Sequence, residues 1–297
     1  MPRSAATRSD DAAGQRRGLI AAAYREACAL ELDAFKPGNV HRESAGHGMT
    51  VADFLLSAEV SAPPLTAPGL GLGERVYRAV AATREAVGCN TNLGIILLCA
   101  PLLQAALDPE VPGGLRARLA AVLRTAERTD TQWFNRAIRL AAPAGLGESA
   151  RHDVAEPATA TPLEVMAVAA HRDLIARQYA ECFKDLFERA VPLLERLQMR
   201  WQDPAWAAVG LYLDFLGRFP DTHIARKLGQ HQALAVSRRA APLAAALNQA
   251  ARPQPHRAAL LAFDRELKNA GINPGTMADL TVACLLIPRL QRLQPAS

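Results

Sequence analysis

The segment Leu93–Leu107, LGIILLCAPLLQAAL, has a single polar side chain, Gln104. No face of such a helix tolerates water, so it must be buried. It is also shorter than the roughly 20 residues that a bilayer span needs. The chain therefore has to wrap its other helices around this one, and the segment from Ile95 to Leu107 is expected at the centre, with a kink at Pro101. Hydrophobic residues make up 50% of the 297, aromatics only 5%, and Ala and Leu dominate the apolar content. That composition favours helices and all but excludes a β-sandwich.

Start and stop signals divide the chain further. Helical spacing begins at Arg17 and ends before Lys36-Pro37-Gly38, and the small, polar residues before it predict a disordered tail over 1–16. Thr50 and Asp53 start a second helix that Pro63-Pro64 should stop, and a third covers Gly73 to Val87. Shorter helices are predicted over Leu115–Glu127 and Thr131–Ala141. Pro143 to Thr161 reads as a mobile loop or a hinge between halves. Thr161-Pro162-Leu163-Glu164 launches a helix that can run to Gln198. Others follow over Asp203–Phe219, Thr222–Ala250, His256–Ala270 and Thr276–Leu293. The expected architecture is all-α: a single-domain multi-helix bundle over 17–297, with a substrate cleft formed by inter-helix loops.

The net charge of +5 is spread over a charged fraction of 21%, too mild to imply a nucleic-acid partner. The five cysteines never form a C-x-x-C pair, which argues against a disulfide framework and a zinc ribbon and fits the cytoplasm. No apolar export segment opens the chain, and no membrane association is expected.

Three turns are chemically richer than folding requires. Lys36-Pro37-Gly38-Asn39-Val40-His41-Arg42, followed by Gly46-His47-Gly48, projects several donors from one short loop, as a polyphosphate demands. As plain structure it is an exposed basic loop. Asp221-Thr222-His223-Ile224-Ala225-Arg226-Lys227 places an acid, an imidazole and two cations at a helix start, although Asp221 would also serve as an N-cap. Asn273-Pro274-Gly275-Thr276-Met277-Ala278-Asp279 sets Asp279 three residues after a potential capping Thr, at the mouth of a buried helix. There it is a candidate magnesium ligand or base, or else a first-turn acid that favours the helix dipole. His41 and His47 match no zinc spacing, and His171 with Asp173 reads as a half-buried polar pair inside the long helix. If one ligand needs all three turns, they must converge in one cleft.

These clusters and the helices between them resemble the triphosphoribosyl-dephospho-CoA synthase family. The matching segments are ELDAFKPGNVHR with GHGMTVADFLLSA, NTNLGIILLCAPL, TPLEVMAVAAHRDLIARQY, PDTHIARKLG and NPGTMADLTVACLL, spanning roughly residues 31 to 287. The chain departs from the family pattern at Gly46–Thr50, at Asn90-Thr91-Asn92-Leu93-Gly94 and after His223, which marks a divergent branch. The resemblance implies transfer of the 5-triphosphoribosyl group of ATP to the ribose 2′-hydroxyl of 3′-dephospho-CoA, with release of adenine. It implies phosphate or substrate contacts from Lys36, Asn39, Arg42, His47, Asn90, Asn92, Arg226, Lys227 and Asn273. Catalytic roles fall to Asp279, Asp221, His223 and His41, and Mg²⁺ would be held by Asp221, Asp279 and Glu31. The partners expected are a nucleotide or phosphoribosyl donor and a small alcohol, with a homodimer allowed. Two other readings stay open: another donor, such as phosphoribosyl pyrophosphate, with a different alcohol such as a methanopterin-type precursor, and a non-catalytic helical scaffold or nucleic-acid-binding protein.

Overall fold

The computed structural model describes residues 5–108, 112–143, 145 and 152–293, with the side chains of 5–12 set aside. Among them fourteen α-helices and no strand occur: α1 Ala5–Asp33, α2 Val51–Thr66, α3 Leu72–Val87, α4 Leu93–Leu107, α5 Leu115–Thr125, α6 Arg128–Ala141, α7 Pro162–Ala169, α8 Leu174–Ala180, α9 Val191–Trp201, α10 Pro204–Arg218, α11 Thr222–Leu228, α12 Gln230–Gln249, α13 Arg257–Asn269 and α14 Gly275–Arg292. A π-helical turn, Leu186–Ala190, precedes α9. No helix among these residues is long and apolar enough to cross a membrane.

α4 is the hub that its composition demands. Ile96, Leu98, Cys99, Ala100, Leu102 and Leu103 have no solvent exposure, and Pro101 lies inside an unbroken helix. α14 packs against it with the equally dry run Val282–Ile287. One continuous apolar cluster joins both halves of the chain. Nothing in that core supports a hinge at Pro143–Thr161.

Several boundaries differ from those expected, each for a physical reason. α1 begins at Ala5 instead of Arg17, where a tail was predicted. The Arg16 guanidinium donates to Ala106 O at 2.8 Å and Leu293 O at 3.1 Å, satisfying carbonyls at the ends of α4 and α14. Pro63 and Pro64 do not stop α2, which ends at Thr66. Pro63 is exposed, and the Thr66 hydroxyl donates to Ala62 O at 2.9 Å, occupying a carbonyl of the last turn. The Thr50–Asp53 and Thr161–Glu164 capping boxes form as expected.

The helix expected over 162–198 is broken twice. Asp173 caps α8, its Oδ1 accepting from Ile175 N and Ala176 N at 2.9 and 3.0 Å. Cys182 and Phe183 then turn through positive φ, which carries the Phe183 ring into the core. Burial of that ring outweighs the cost of two left-handed residues. His171 is exposed and bonded to Val168 O of its own segment, so it forms no pair with Asp173. Gly229, at φ 91°, likewise separates α11 from α12.

Of the loop 143–161, residues 144 and 146–151 lie outside the described residues. The rest is tied to α6: Thr131 Oγ1 donates to Ala160 O at 2.8 Å, and Arg139 reaches Val154 O. Pro143, His152, Asp153 and Val154 form part of a cavity wall. These described residues border the cavity instead of forming a free linker.

Candidate active site

The three polar turns converge. Asn39 Nδ2 donates to Asn273 Oδ1 at 2.8 Å, and a Cβ on Gly38 (φ 83°) would lie 2.9 Å from Pro274 Cδ. His223 N donates to Thr276 Oγ1 at 3.2 Å, and Met277 N to Asp221 Oδ2 at 3.0 Å. Tyr212, fully buried on α10, holds the first loop from behind by donating to Pro37 O at 2.8 Å. The turns meet at a cavity of about 810 Å³, within the size range of small-molecule sites. One wall is polar, from the loop after α1 and the N-termini of α11 and α14. The facing wall is largely apolar, with Phe134, Ile138, Val165 and Met166 from α6 and α7.

Asp279 faces this cavity from α14. It is not the first-turn acid of a capping box. α14 starts at Gly275, and Thr276 accepts from His223 N instead of capping its own helix. The Asp279 carboxyl makes no hydrogen bond or ion pair with the described residues. Burial, then the charges of Asp221 and Glu31, hold its pKa well above the usual carboxylate range. It fits only because α4 has Gly94 opposite: a Cβ there would stand 2.0 Å from Asp279 Oδ2.

Arg226 and Lys227 of α11 bring positive charge to the cavity, and the imidazoles of His47 and His223 line it beside them. Burial first, then the charges of Arg226, Lys227 and His47, push the His223 pKa down to about 4, so its imidazole is neutral near pH 7. His47, at φ 58°, is bonded through Nε2 to Gly38 O at 2.9 Å. Asn39, Asn90 and Asn273 also line the cavity, and Asn90 Oδ1 accepts from Leu93 N at the start of α4.

Five of the expected site residues face elsewhere. Lys36 is fully buried, ion-paired with Glu31 at 2.6 Å and donating to Val40 O at 2.6 Å, so it is no phosphate ligand. Glu31 does reach the cavity wall, but its charge is engaged by Lys36. His41 is 1% exposed, packed on the Phe35 ring beside Lys268 and Asp264, outside the cavity. Arg42 is exposed and paired with Asp33. Asn92 turns inward to Ser57 O and Ser61 Oγ, both at 3.4 Å. Asp221 is fully buried and spends both oxygens on backbone amides, Ile224 N at 2.9 Å and Met277 N at 3.0 Å. It is a cap that joins α11 to α14, and it does not line the cavity.

Burial raises the Asp221 pKa to about 6, against the bonds from Ile224, Met277 and His223. Because the folded value lies above the unfolded one of about 3.9, the native state binds the proton more tightly. Its share of stability is therefore greatest below about pH 4 and declines as pH rises to about 6. The stability difference between wild type and Asp221→Asn, measured by urea unfolding, should move against wild type by about 3 kcal/mol over that window and stay flat above it.

Asp173, which the sequence suggests only as half of a polar pair that a bundle could aim inward, lines the cavity. Its Oδ2 holds Arg226 Nη1 at 2.8 Å in the cavity wall. Its capping role was hidden because it is an acid before an apolar run, inside a stretch with no glycine to mark a break.

The combination is an all-helical fold whose polar turns bring Asp279, Arg226, Lys227, His47 and His223 to one cavity. The family model described as CitG, ATP:dephospho-CoA triphosphoribosyl transferase, matches residues 17–297, and the chain belongs to that family. It is similar in structure to a candidate triphosphoribosyl-dephospho-CoA synthase from Archaeoglobus fulgidus, with a TM-score of 0.59 and 26% identity, over 78% of this chain and 96% of that one. Among curated proteins none matches.

Proposed function

We propose that the cavity transfers the triphosphoribosyl group of ATP to the 2′-hydroxyl of 3′-dephospho-CoA. The observation that carries the reading is a partnerless carboxyl, Asp279, lining the same cavity as Arg226, Lys227, His47 and His223. In the reaction the ribose C1′–N9 bond opens, adenine leaves with a proton, and the acceptor oxygen closes on C1′ as its own proton departs. Positive charge builds on the sugar ring in between. Arg226 and Lys227 hold the triphosphate, with Asn39 and Asn273 as neutral donors beside them. Asp279 stands against the sugar: its proton passes to the departing adenine, and the carboxylate left behind stabilises the positive charge developing on the ring. His223 takes the proton of the acceptor alcohol. Its low pKa derives partly from neighbouring cations, and a bound triphosphate neutralises them, so substrate binding raises its basicity.

Among the described residues no group of three His, Cys, Asp or Glu side chains could hold a metal ion. Magnesium that travels with phosphates keeps several waters and needs only one or two carboxylates. Asp279, cavity-facing and partnerless, fits that need, whereas Asp221 with both oxygens engaged does not. When bound, the ion would neutralise triphosphate charge.

The test is incubation with ATP and 3′-dephospho-CoA, with mass spectrometry of the products. Adenine release that requires both substrates, with the ribosylated acceptor appearing in step, is expected. Release of pyrophosphate from phosphoribosyl pyrophosphate, with no adenine from ATP, would replace this donor by the other.

A further inference from the structure

Arg226 differs from Lys227 in being held. Asp173 Oδ2 accepts from its Nη1 at 2.8 Å, while Asp173 Oδ1 is fixed by the second and third amides of α8, Ile175 N and Ala176 N. The carboxylate thus has two anchors on a rigid helix start and one hand on a long side chain. Arg226 Nε is buried and has no partner among the described residues. The guanidinium is therefore only part-satisfied, and it lines the cavity that the anionic substrate must enter. A free arginine would have to be ordered on each binding event, losing rotamer freedom. Here α8 has ordered it in advance.

We infer that Asp173 is the positioning residue for phosphate recognition, acting through Arg226 by fixing its guanidinium at the cavity wall. This rests on the assignment of Arg226 to the triphosphate made above. The carboxylate charge is already met by two amides and one guanidinium, so its removal loses orientation more than it relieves repulsion. Asn at this position can still cap α8 through its side-chain oxygen, whereas Ala cannot.

The experiment is a double-mutant cycle of Asp173→Asn and Arg226→Ala in the full chain, read by calorimetric Kd for ATP and for inorganic triphosphate, by steady-state kinetics and by thermal unfolding. Asp173→Asn should unfold near the wild-type temperature. It should raise Kd and the KM for ATP about tenfold, with kcat changing by less than about threefold. In the Arg226→Ala background it should add nothing. Tighter binding by Asp173→Asn would show that the carboxylate merely competes for Arg226, and would overturn the proposal. So would an equal loss in both backgrounds, which would mean that Asp173 meets the ligand itself. If Arg226→Ala alone leaves both affinities unchanged, the phosphate assignment fails, a result distinct from failure of the positioning role. Asp173→Ala, short of the cap as well, should lower the unfolding temperature in addition, separating the structural share.

Discussion

Asp279→Asn should lower kcat by a factor of about 10²–10³ while the protein folds as before. The carboxyl has no partner to lose within the chain. Its ionisation is opposed by burial and by two neighbouring acids, so a neutral amide of the same shape relieves strain, and the unfolding midpoint should stay level or rise. The steady-state assay with ATP and acceptor, paired with a denaturant titration, reads both quantities. Near-normal turnover would take the reacting centre away from Asp279. Gly94→Ala gives an independent approach to the same atoms. A methyl 2.0 Å from Asp279 Oδ2 and 3.0 Å from Ile175 Cδ1 cannot be accommodated in place. The carboxyl, which borders open space, gives way more readily than packed α4, so activity should fall with modest loss of stability.

Lys36→Met should cost about 3–5 kcal/mol of folding stability, the largest effect expected from any single substitution here. It strands Glu31 with its charge in a dry setting: Lys36 is its ion-pair partner at 2.6 Å, and both side chains are almost wholly inaccessible. Burial already pushes the Glu31 pKa up and the Lys36 pKa down, each pulled back chiefly by the other. The double substitution Glu31→Leu with Lys36→Met removes both charges and should recover most of the loss, since a well-packed apolar pair is often as stable as a buried ionic one. Urea unfolding of the two variants checks this. A Lys36→Met protein of wild-type stability that fails to bind ATP would instead return this residue to the phosphate site.

These two residues show where the reading of the sequence stops. Lys36 and Asp221 sit in segments whose chemistry was recognisable, and both segments do reach the cavity, through Asn39, His47, His223, Arg226 and Lys227. Yet a donor-rich loop and an acid at a helix start do not reveal which side chains point inward. Lys36 turns away because the loop is clamped from behind by Tyr212, about 175 residues distant in the chain. Asp221 and Asp279 are the same residue type near helix starts. One is consumed by the amide of Met277 across a helix junction and the other is left free opposite Gly94.

Local signals carried the rest. The apolar run of α4 had to be the hub because no other place removes it from water, and the capping boxes at Thr50 and Thr161 formed because their partners lie three residues away. The break at Asp173 had no such punctuation. It is set by the amides of α8 and by Arg226, 53 residues on. The sequence by itself determined the helical class, the central helix and the three turns that meet, because each depends on neighbouring residues or on hydrophobicity alone. Only the tertiary structure decided which carboxyl stays free and which cation is held, because those outcomes depend on partners far apart in the chain that compete for the same few buried hydrogen bonds.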